Sequence, residues 1–336
     1  MVRIGLVGVG FMGRMHFLAS RSLRGAKVAA VCSRDPAKLA GDWRNTRGNF
    51  GPEPGFVDLD GVKKYDSLDA LLADPDIDMV DICNPNHLHA ETAVAALNAG
   101  KHVLVEKAIA LKPADADAML AAAKSAGKLL MVAHVLPFFP EFRYAAEVVR
   151  SGKYGKLVAA HFTRVISRPD WSAEMADPAK SGGPAVDLHI HDTHFIGLLC
   201  GVPSAVFATG AVHDGVVSHL TTQYLYGVGG PSVTCSSGDL AQKSRPFVHG
   251  YEIFLERATL SYSSEGVPMK LLTAEGATTP ELTAGDPFAE EIQLAVDGVG
   301  KGVAPDLLSA QLARDALVMC HRECESVTTG KIVPVA

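Results

Sequence analysis

The sequence predicts two domains of different class. Residues 1–135 are expected to form an α/β domain around a doubly wound parallel sheet. Residues 136–336 are expected to form an α+β domain with an open, mostly antiparallel sheet, its final residues free to pack back on the first domain. Three observations carry this. In the first part, short β-branched runs alternate with Ala/Leu-rich stretches of helical spacing, which is the pattern of βαβ units. Beyond about residue 150, strand-like runs follow one another with few helices between them, which favours antiparallel pairing. A chain of 336 residues also exceeds what one hydrophobic core usually organises.

In chain order, strands are expected at 2–7, 26–32, 79–83, 102–106 and 129–133, with helices over 69–73, 90–99 and 114–126. Gly100 and Gly127 stand where a glycine in the left-handed conformation would close two of these helices. The stretch 41–62 is rich in Gly, Pro, Asn and Asp and reads as a loop insertion. In the second half, strands are expected at 156–166, 205–212, 217–226, 232–236, 251–256 and 258–262. Helices are expected at 186–199 and, amphipathic and long, at 305–326.

Composition removes several function classes. Lys plus Arg is 31 against 37 Asp plus Glu, with no basic stripe, so nucleic acid is not an expected partner. Apolar runs such as 129–133 fall far short of the roughly 20 residues that span a bilayer, so membrane residence is not expected either. The apolar run after Arg3 contains three glycines by residue 10 and lacks an Ala-x-Ala site, which argues against a secretory signal. Six scattered cysteines without a Cys-x-x-Cys read as free thiols in a reducing, cytoplasmic compartment.

Gly8-Val9-Gly10-Phe11-Met12-Gly13 follows the first strand and opens a helix. Gly8 permits the tight turn, Gly10 lets backbone N–H groups approach a pyrophosphate, and Gly13 allows close strand–helix packing. The helix N-terminus adds partial positive charge. This is the dinucleotide fingerprint in its proper strand–loop–helix context; the alternative is a glycine-rich turn without a ligand. At the end of the second strand, where NAD sites commonly carry an acid, stand Ser33 and Arg34. A hydroxyl beside a guanidinium suits a 2′-phosphate, so NADP is the expected cofactor, with NAD open if Asp35 does the acid's work one step along.

Three further motifs come in order. Asn84-Pro85-Asn86-His87-Leu88-His89 follows strand 79–83, and Val105-Glu106-Lys107 closes strand 102–106. Gly182-Gly183-Pro184-Ala185-Val186-Asp187-Leu188-His189-Ile190-His191-Asp192 opens a helix in the second half. With the glycine loop, this order resembles the Gfo/Idh/MocA oxidoreductases (glucose–fructose oxidoreductase, inositol dehydrogenase and relatives) from residue 2 to the segment 326–331. The resemblance implies a Rossmann domain plus an open-sheet domain whose outer face forms a dimer or tetramer interface. It implies hydride transfer between nicotinamide and a carbinol or ketone of a sugar, cyclitol or related carbohydrate. Lys107 matches the lysine of the family's Glu-Lys-Pro motif, and Asp187 and His191 match its Asp-x-x-x-His pair, giving these three catalytic and substrate-binding roles.

The cofactor is then expected to meet Gly8, Gly10, Phe11, Met12, Gly13, Ser33, Arg34, Asn84, Pro85, Asn86, His89, Glu106, Lys107 and His134. Trp171, in the Pro/Gly-rich stretch 167–186, is a candidate substrate cover or a plain surface aromatic. The chemistry of the residues agrees: Asp187 and His191 lie four apart on one helix face, histidine accepts a carbinol proton near neutral pH, and an ammonium stabilises a developing alkoxide. For Asp187 and His191 the alternative is a helix-start cap with a surface histidine. For His89 it is packing or capping.

His189, His191 and His194 crowd one helix, but His189 is expected to point away from His191, so no metal is expected. Two departures stand out: Glu106-Lys107-Ala108 lacks the family's proline, and Pro137-Phe138-Phe139-Pro140 replaces an Arg before an aromatic. Two other functions remain open: a redox-assisted glycoside hydrolase with retained NAD, and a non-catalytic dinucleotide-responsive regulator.

Overall fold

A computed structural model describes residues 1–168 and 177–335. The chain divides into two compact units, Met1–Val135 with Asp286–Arg314, and Leu136–Gly285 with Asp315–Ala336. The stretch 286–314, which the sequence reading placed with the second domain, thus returns to the first.

The first unit holds a six-stranded sheet of β1 (Val2–Val7), β2 (Ala26–Cys32), β3 (Lys63–Tyr65), β4 (Met79–Ile82), β5 (His102–Glu106) and β6 (Leu130–Ala133). Its order is β3-β2-β1-β4-β5-β6 and every pairing is parallel. This is the doubly wound Rossmann order, which reverses direction between β1 and β4 and opens a crevice beyond their carboxyl ends. The central strands are near-continuous apolar runs because helices cover both faces; Leu6, Val31, Val80, Ile82, Leu104 and Val132 are fully buried. The helices are α1 (Phe11–Ala19), α2 (Pro36–Leu39), α3 (Leu68–Leu72), α4 (His89–Asn98) and α5 (Pro113–Ala126). Local chemistry sets their ends: Asp35 and Ser67 accept N–H groups at the starts of α2 and α3, Pro113 opens α5, and Gly127 at φ 61° closes it.

Strand β3 was not expected. It is a short edge strand, Lys-Lys-Tyr, without the apolar run that marks its neighbours. The insertion 41–62 contains no helix or named strand but is pinned to the core. Trp43 is fully buried, donates its Nε1–H to the Lys38 carbonyl at 2.8 Å, and meets Phe17 edge-on. Helix Pro287–Lys301 in this unit was also missed, although Asp286-Pro287 supplies the N-cap and first-position signals for it.

The second unit is built on a nine-stranded sheet of β7 (Leu157–Ser167), β8 (Ala205–His213), β9 (Val216–Leu225), β10 (Ser232–Ala241), β11 (Val248–Leu255), β12 (Ala258–Ser263), β13 (Val267–Thr273), β14 (Gly276–Thr278) and β15 (Val333–Pro334). The order is β14-β13-β12-β11-β7-β10-β9-β8-β15, antiparallel except between β7 and β10. The chain end therefore pairs with β8 in this sheet. Strands alternate buried and exposed residues, as a sheet with one solvated face requires. Helices α6 (Pro140–Ser151), α7 (Pro178–Ser181), α8 (Pro184–Asp187) and α9 (Ile190–Cys200) belong to this unit. The single helix expected over 186–199 is two. At the break, the N–H of His189 reaches back to the Pro184 carbonyl, and the His189 ring is drawn into the core.

Candidate active site

In the first unit the glycine loop lies at the switch point between β1 and β4. Gly8 has φ 92°, and a Cβ there would sit 2.6 Å from the Asn84 nitrogen; a Cβ on Gly13 would sit 2.0 Å from the Gly8 carbonyl oxygen. Both glycines are demanded by close backbone approach. Gly10 differs: a Cβ there would meet nothing within 4 Å, and as N-cap of α1 it leaves the first-turn N–H groups without a side-chain cap. Open space before uncapped N–H donors fits a pyrophosphate. Phe11 packs edge-on against Phe50, and Met12 lies against the core cluster of Leu6, Phe17 and Trp43.

Ser33 follows β2, and its Oγ accepts the N–H of Asp35 at 3.2 Å. Asp35 in turn caps α2 through Ala37 N–H at 2.9 Å. Arg34 between them is exposed. Asn84 donates from Nδ2 to Thr92 Oγ1 at 2.8 Å, and Pro85 and Asn86 lead into the turn that opens α4. His89 is fully buried, with Nδ1 2.7 Å from the Ala108 carbonyl and Nε2 2.9 Å from that of Asn84. Burial lowers its pKa against those two hydrogen bonds. Its ring braces the end of β4 against the turn after Lys107. His134, just beyond β6, is buried.

Lys107 is partly exposed at the end of β5, and the Lys107–Ala108 peptide, where the family pattern has proline, is cis. Behind it lies a buried network that the sequence reading missed. His16 Nε2 is 2.9 Å from Glu106 Oε1, and His16 Nδ1 is 3.0 Å from Asp81 Oδ2. The other Glu106 oxygen, Oε2, accepts the N–H of Lys107 at 3.1 Å. Burial disfavours the charged imidazole, but the charge and hydrogen bond of Asp81 hold its pKa well above the usual value. Glu291, from helix Pro287–Lys301, is fully buried, and burial followed by the charge of Glu106 pushes its carboxyl well up.

His16, Asp81 and Cys83 lie within 4.8 Å of one another, the one such ligand-type cluster among the described residues. Metal binding would need the Cys83 thiolate, which burial and Asp81 disfavour, and would take His16 Nδ1 from Asp81. The cluster is therefore best described as a hydrogen-bonded network. The only sequence sign of it was a histidine on the helix after Gly13.

In the second unit Pro184, Asp187, Leu188 and His191 form a partly exposed stripe at helical spacing, while Ala185, Val186, His189, Ile190, Asp192, Thr193 and His194 are buried. The helix pair is pinned from behind. Arg164 on β7 forms a two-pronged buried ion pair with Asp192, at 2.6 and 3.1 Å. His189 pairs with Glu323 and lies 3.3 Å from the Tyr224 hydroxyl. Burial alone takes the His194 pKa down to about 3. Among the described residues His189, His191 and His194 do not gather into a ligand cluster. Where an Arg was missing after His134, Leu136 and Phe138 are buried. Trp171 lies outside the described residues.

Two family profiles match the chain. One, described as an oxidoreductase family with an NAD-binding Rossmann fold, covers residues 2–134; the other, the GFO/IDH/MocA C-terminal domain, covers residues 142–261. The uncharacterized oxidoreductase ORF334 of Rhizobium meliloti is 30% identical over 270 residues, 78% of this chain and 74% of its own length. Levoglucosan dehydrogenase of Pseudarthrobacter phenanthrenivorans is 31% identical over 222 residues, 62% of this chain and 53% of its own length. The chain spans about half the length of that enzyme and of other curated relatives it matches. An oxidoreductase from Agrobacterium radiobacter, solved with NAD+, L-tartaric acid and magnesium, has TM-score 0.83 at 20% identity, over 99% of this chain and 98% of that one. At that identity the likeness is one of fold.

Proposed function

The chain belongs to the Gfo/Idh/MocA oxidoreductases, and on that premise we propose that it is an NADP-preferring oxidoreductase acting on a carbinol or ketone of a sugar, cyclitol or related carbohydrate. The observation that carries this reading is the stripe holding Asp187 and His191. They are partly exposed, while the other polar side chains of their helix pair, His189, Asp192, Thr193 and His194, are buried. A regulator would have no need to hold them so. That a relative is a levoglucosan dehydrogenase supports a carbohydrate substrate.

The nicotinamide, when bound, supplies the hydride acceptor or donor. The N–H groups opening α1 would hold the pyrophosphate in the space left by Gly10, and Ser33 with Arg34 would meet the ribose 2′-phosphate. In the oxidative direction the His191 ring would take up the proton of the reacting substrate hydroxyl. The Lys107 ammonium bonds the reacting oxygen and stabilises negative charge there. Asp187 accepts a hydrogen bond from a substrate hydroxyl. The six unpaired cysteines fit a reducing, cytoplasmic compartment, and a homodimer or homotetramer is proposed from the family pattern.

The test is a nicotinamide-fluorescence titration with NADPH and NADH, with Arg34→Asp alongside. Tighter NADPH binding that collapses in the variant is the expected result; tighter NADH binding overturns the 2′-phosphate assignment. A carbohydrate screen followed by nicotinamide absorbance then reads the chemistry. Lys107→Ala and His191→Asn should each lower turnover by about 10²–10⁴-fold, and full turnover in both variants would remove these residues from the mechanism.

A further inference from the structure

We propose that His16 is a positioning residue that couples the dinucleotide loop to Lys107, an inference that rests on the roles just assigned to that loop and that lysine. The geometry is a continuous chain within the first unit. Helix α1 starts at the glycine loop and carries His16 on its buried side. The imidazole reaches two strand ends at once, Asp81 on β4 through Nδ1 at 3.0 Å and Glu106 on β5 through Nε2 at 2.9 Å. Glu106 divides its carboxylate, one oxygen to His16 and the other to the backbone N–H of Lys107 at 3.1 Å. One buried ring thus ties the phosphate-binding helix to the peptide that carries the lysine.

The groups facing the ring explain why this is more than packing. With a carboxylate at each nitrogen, both nitrogens donate, so the ring is held in two directions and carries positive charge between two negative ones. Cys83 Sγ lies 3.4 Å from Nδ1, and the Phe288 ring centroid is 6.4 Å away. Glu291 faces the network with neither oxygen hydrogen-bonded, and its raised pKa makes it the neutral member. His16 Nε2 is the side-chain donor that meets Glu106 Oε1 within this buried cluster. Without His16 the buried Glu106 Oε1 loses that donor, so the carboxylate is driven to turn or take up a proton, and the Lys107 N–H loses its fixed acceptor.

Hydrogen exchange read by mass spectrometry over 104–110, in the full chain with and without saturating NADPH, tests this directly. In the wild type NADPH should slow exchange of the segment. In His16→Ala, exchange at 104–110 should be about tenfold faster or more and insensitive to bound NADPH, with peptides of β8 and β9 unchanged. His16→Gln, which keeps one donor, should fall between. Should His16→Ala fail to fold, Glu106→Gln serves, because an amide has one acceptor oxygen for two donors and should free the same segment. Wild-type exchange at 104–110 in a folded, NADPH-binding variant overturns the inference. A wild-type protein that binds neither NADPH nor NADH overturns the functional reading, and the inference with it.

Discussion

Each unit buries an imidazole against carboxylate, directly behind the residues assigned to chemistry, yet the two do it differently. In the first unit His16 spans two carboxylates at the carboxyl ends of neighbouring parallel strands. In the second, His189 meets one carboxylate, Glu323, with the Tyr224 hydroxyl beside it, under a helix that Asp192 and Arg164 hold to the sheet. For His189, too, burial disfavours the charge and the carboxylate more than restores it. A parallel sheet gathers polar side chains where its strands end. An antiparallel sheet with one covered face has to bury them in mid-strand, beneath whatever helix covers it. The first arrangement can therefore be wired to a loop, while the second can only steady a helix.

The largest effect that would sharpen this contrast is on stability. His16→Ala strands two buried carboxylates and should cost about 3–5 kcal/mol. His189→Ala strands Glu323, which keeps Thr222 Oγ1 at 3.3 Å, and should cost less. Urea denaturation of both variants gives the comparison, and equal small losses would break it. Next comes the glycine loop. Gly13→Ala drives a Cβ into the Gly8 carbonyl and should cost about 1–3 kcal/mol or more. Gly10→Ala meets only open space and should leave the urea midpoint unchanged while abolishing dinucleotide binding. A Gly10→Ala protein that binds NADPH normally would show that the space is not a cradle.

The smallest effect is the dependence on pH, and its sign depends on whether a buried histidine faces a carboxylate. His194 and His249 have folded-state pKa values of about 3 and about 4, lowered by burial from 6.5. The unfolded chain binds more protons in between, so their contribution is complete above about 6.5 and is lost as the pH falls toward 4. His16 is raised instead, so its contribution is complete below about 6.5 and is lost as the pH rises through its folded value. Between pH 6.5 and 4, His249→Phe should flatten the decline in stability by up to about 1.4 kcal/mol per pH unit. An unchanged slope would mean that His249 is not buried neutral.

What sequence reading could reach follows from the same contrast. The apolar strands of the first sheet and its glycine loop were legible because burial on both faces leaves continuous β-branched runs, and because Gly13 answers to a backbone contact inside the loop, with the Gly8 carbonyl; the contact that demands Gly8, with Asn84 after β4, comes only with the fold. Strand β3, a three-residue exposed edge, carries no such run. Helix Pro287–Lys301 was overlooked among strand-like neighbours, and Glu291 with it. Asp187 and His191 were legible as a pair four apart; the break at His189 was not, because Glu323 draws that ring inward from 134 residues away.

The sequence by itself determined the alternation of strands and helices in the first sheet, the glycine fingerprint and the family's motif order. Each of these is set by residues that are neighbours along the chain. Only the tertiary structure decided which unit the stretch 286–314 joins, that His89 braces two carbonyls, and that His16, Asp81, Glu106 and Glu291 converge behind Lys107. Those depend on which distant side chains must share a water-free interior, where an unpaired charge is too costly to leave alone.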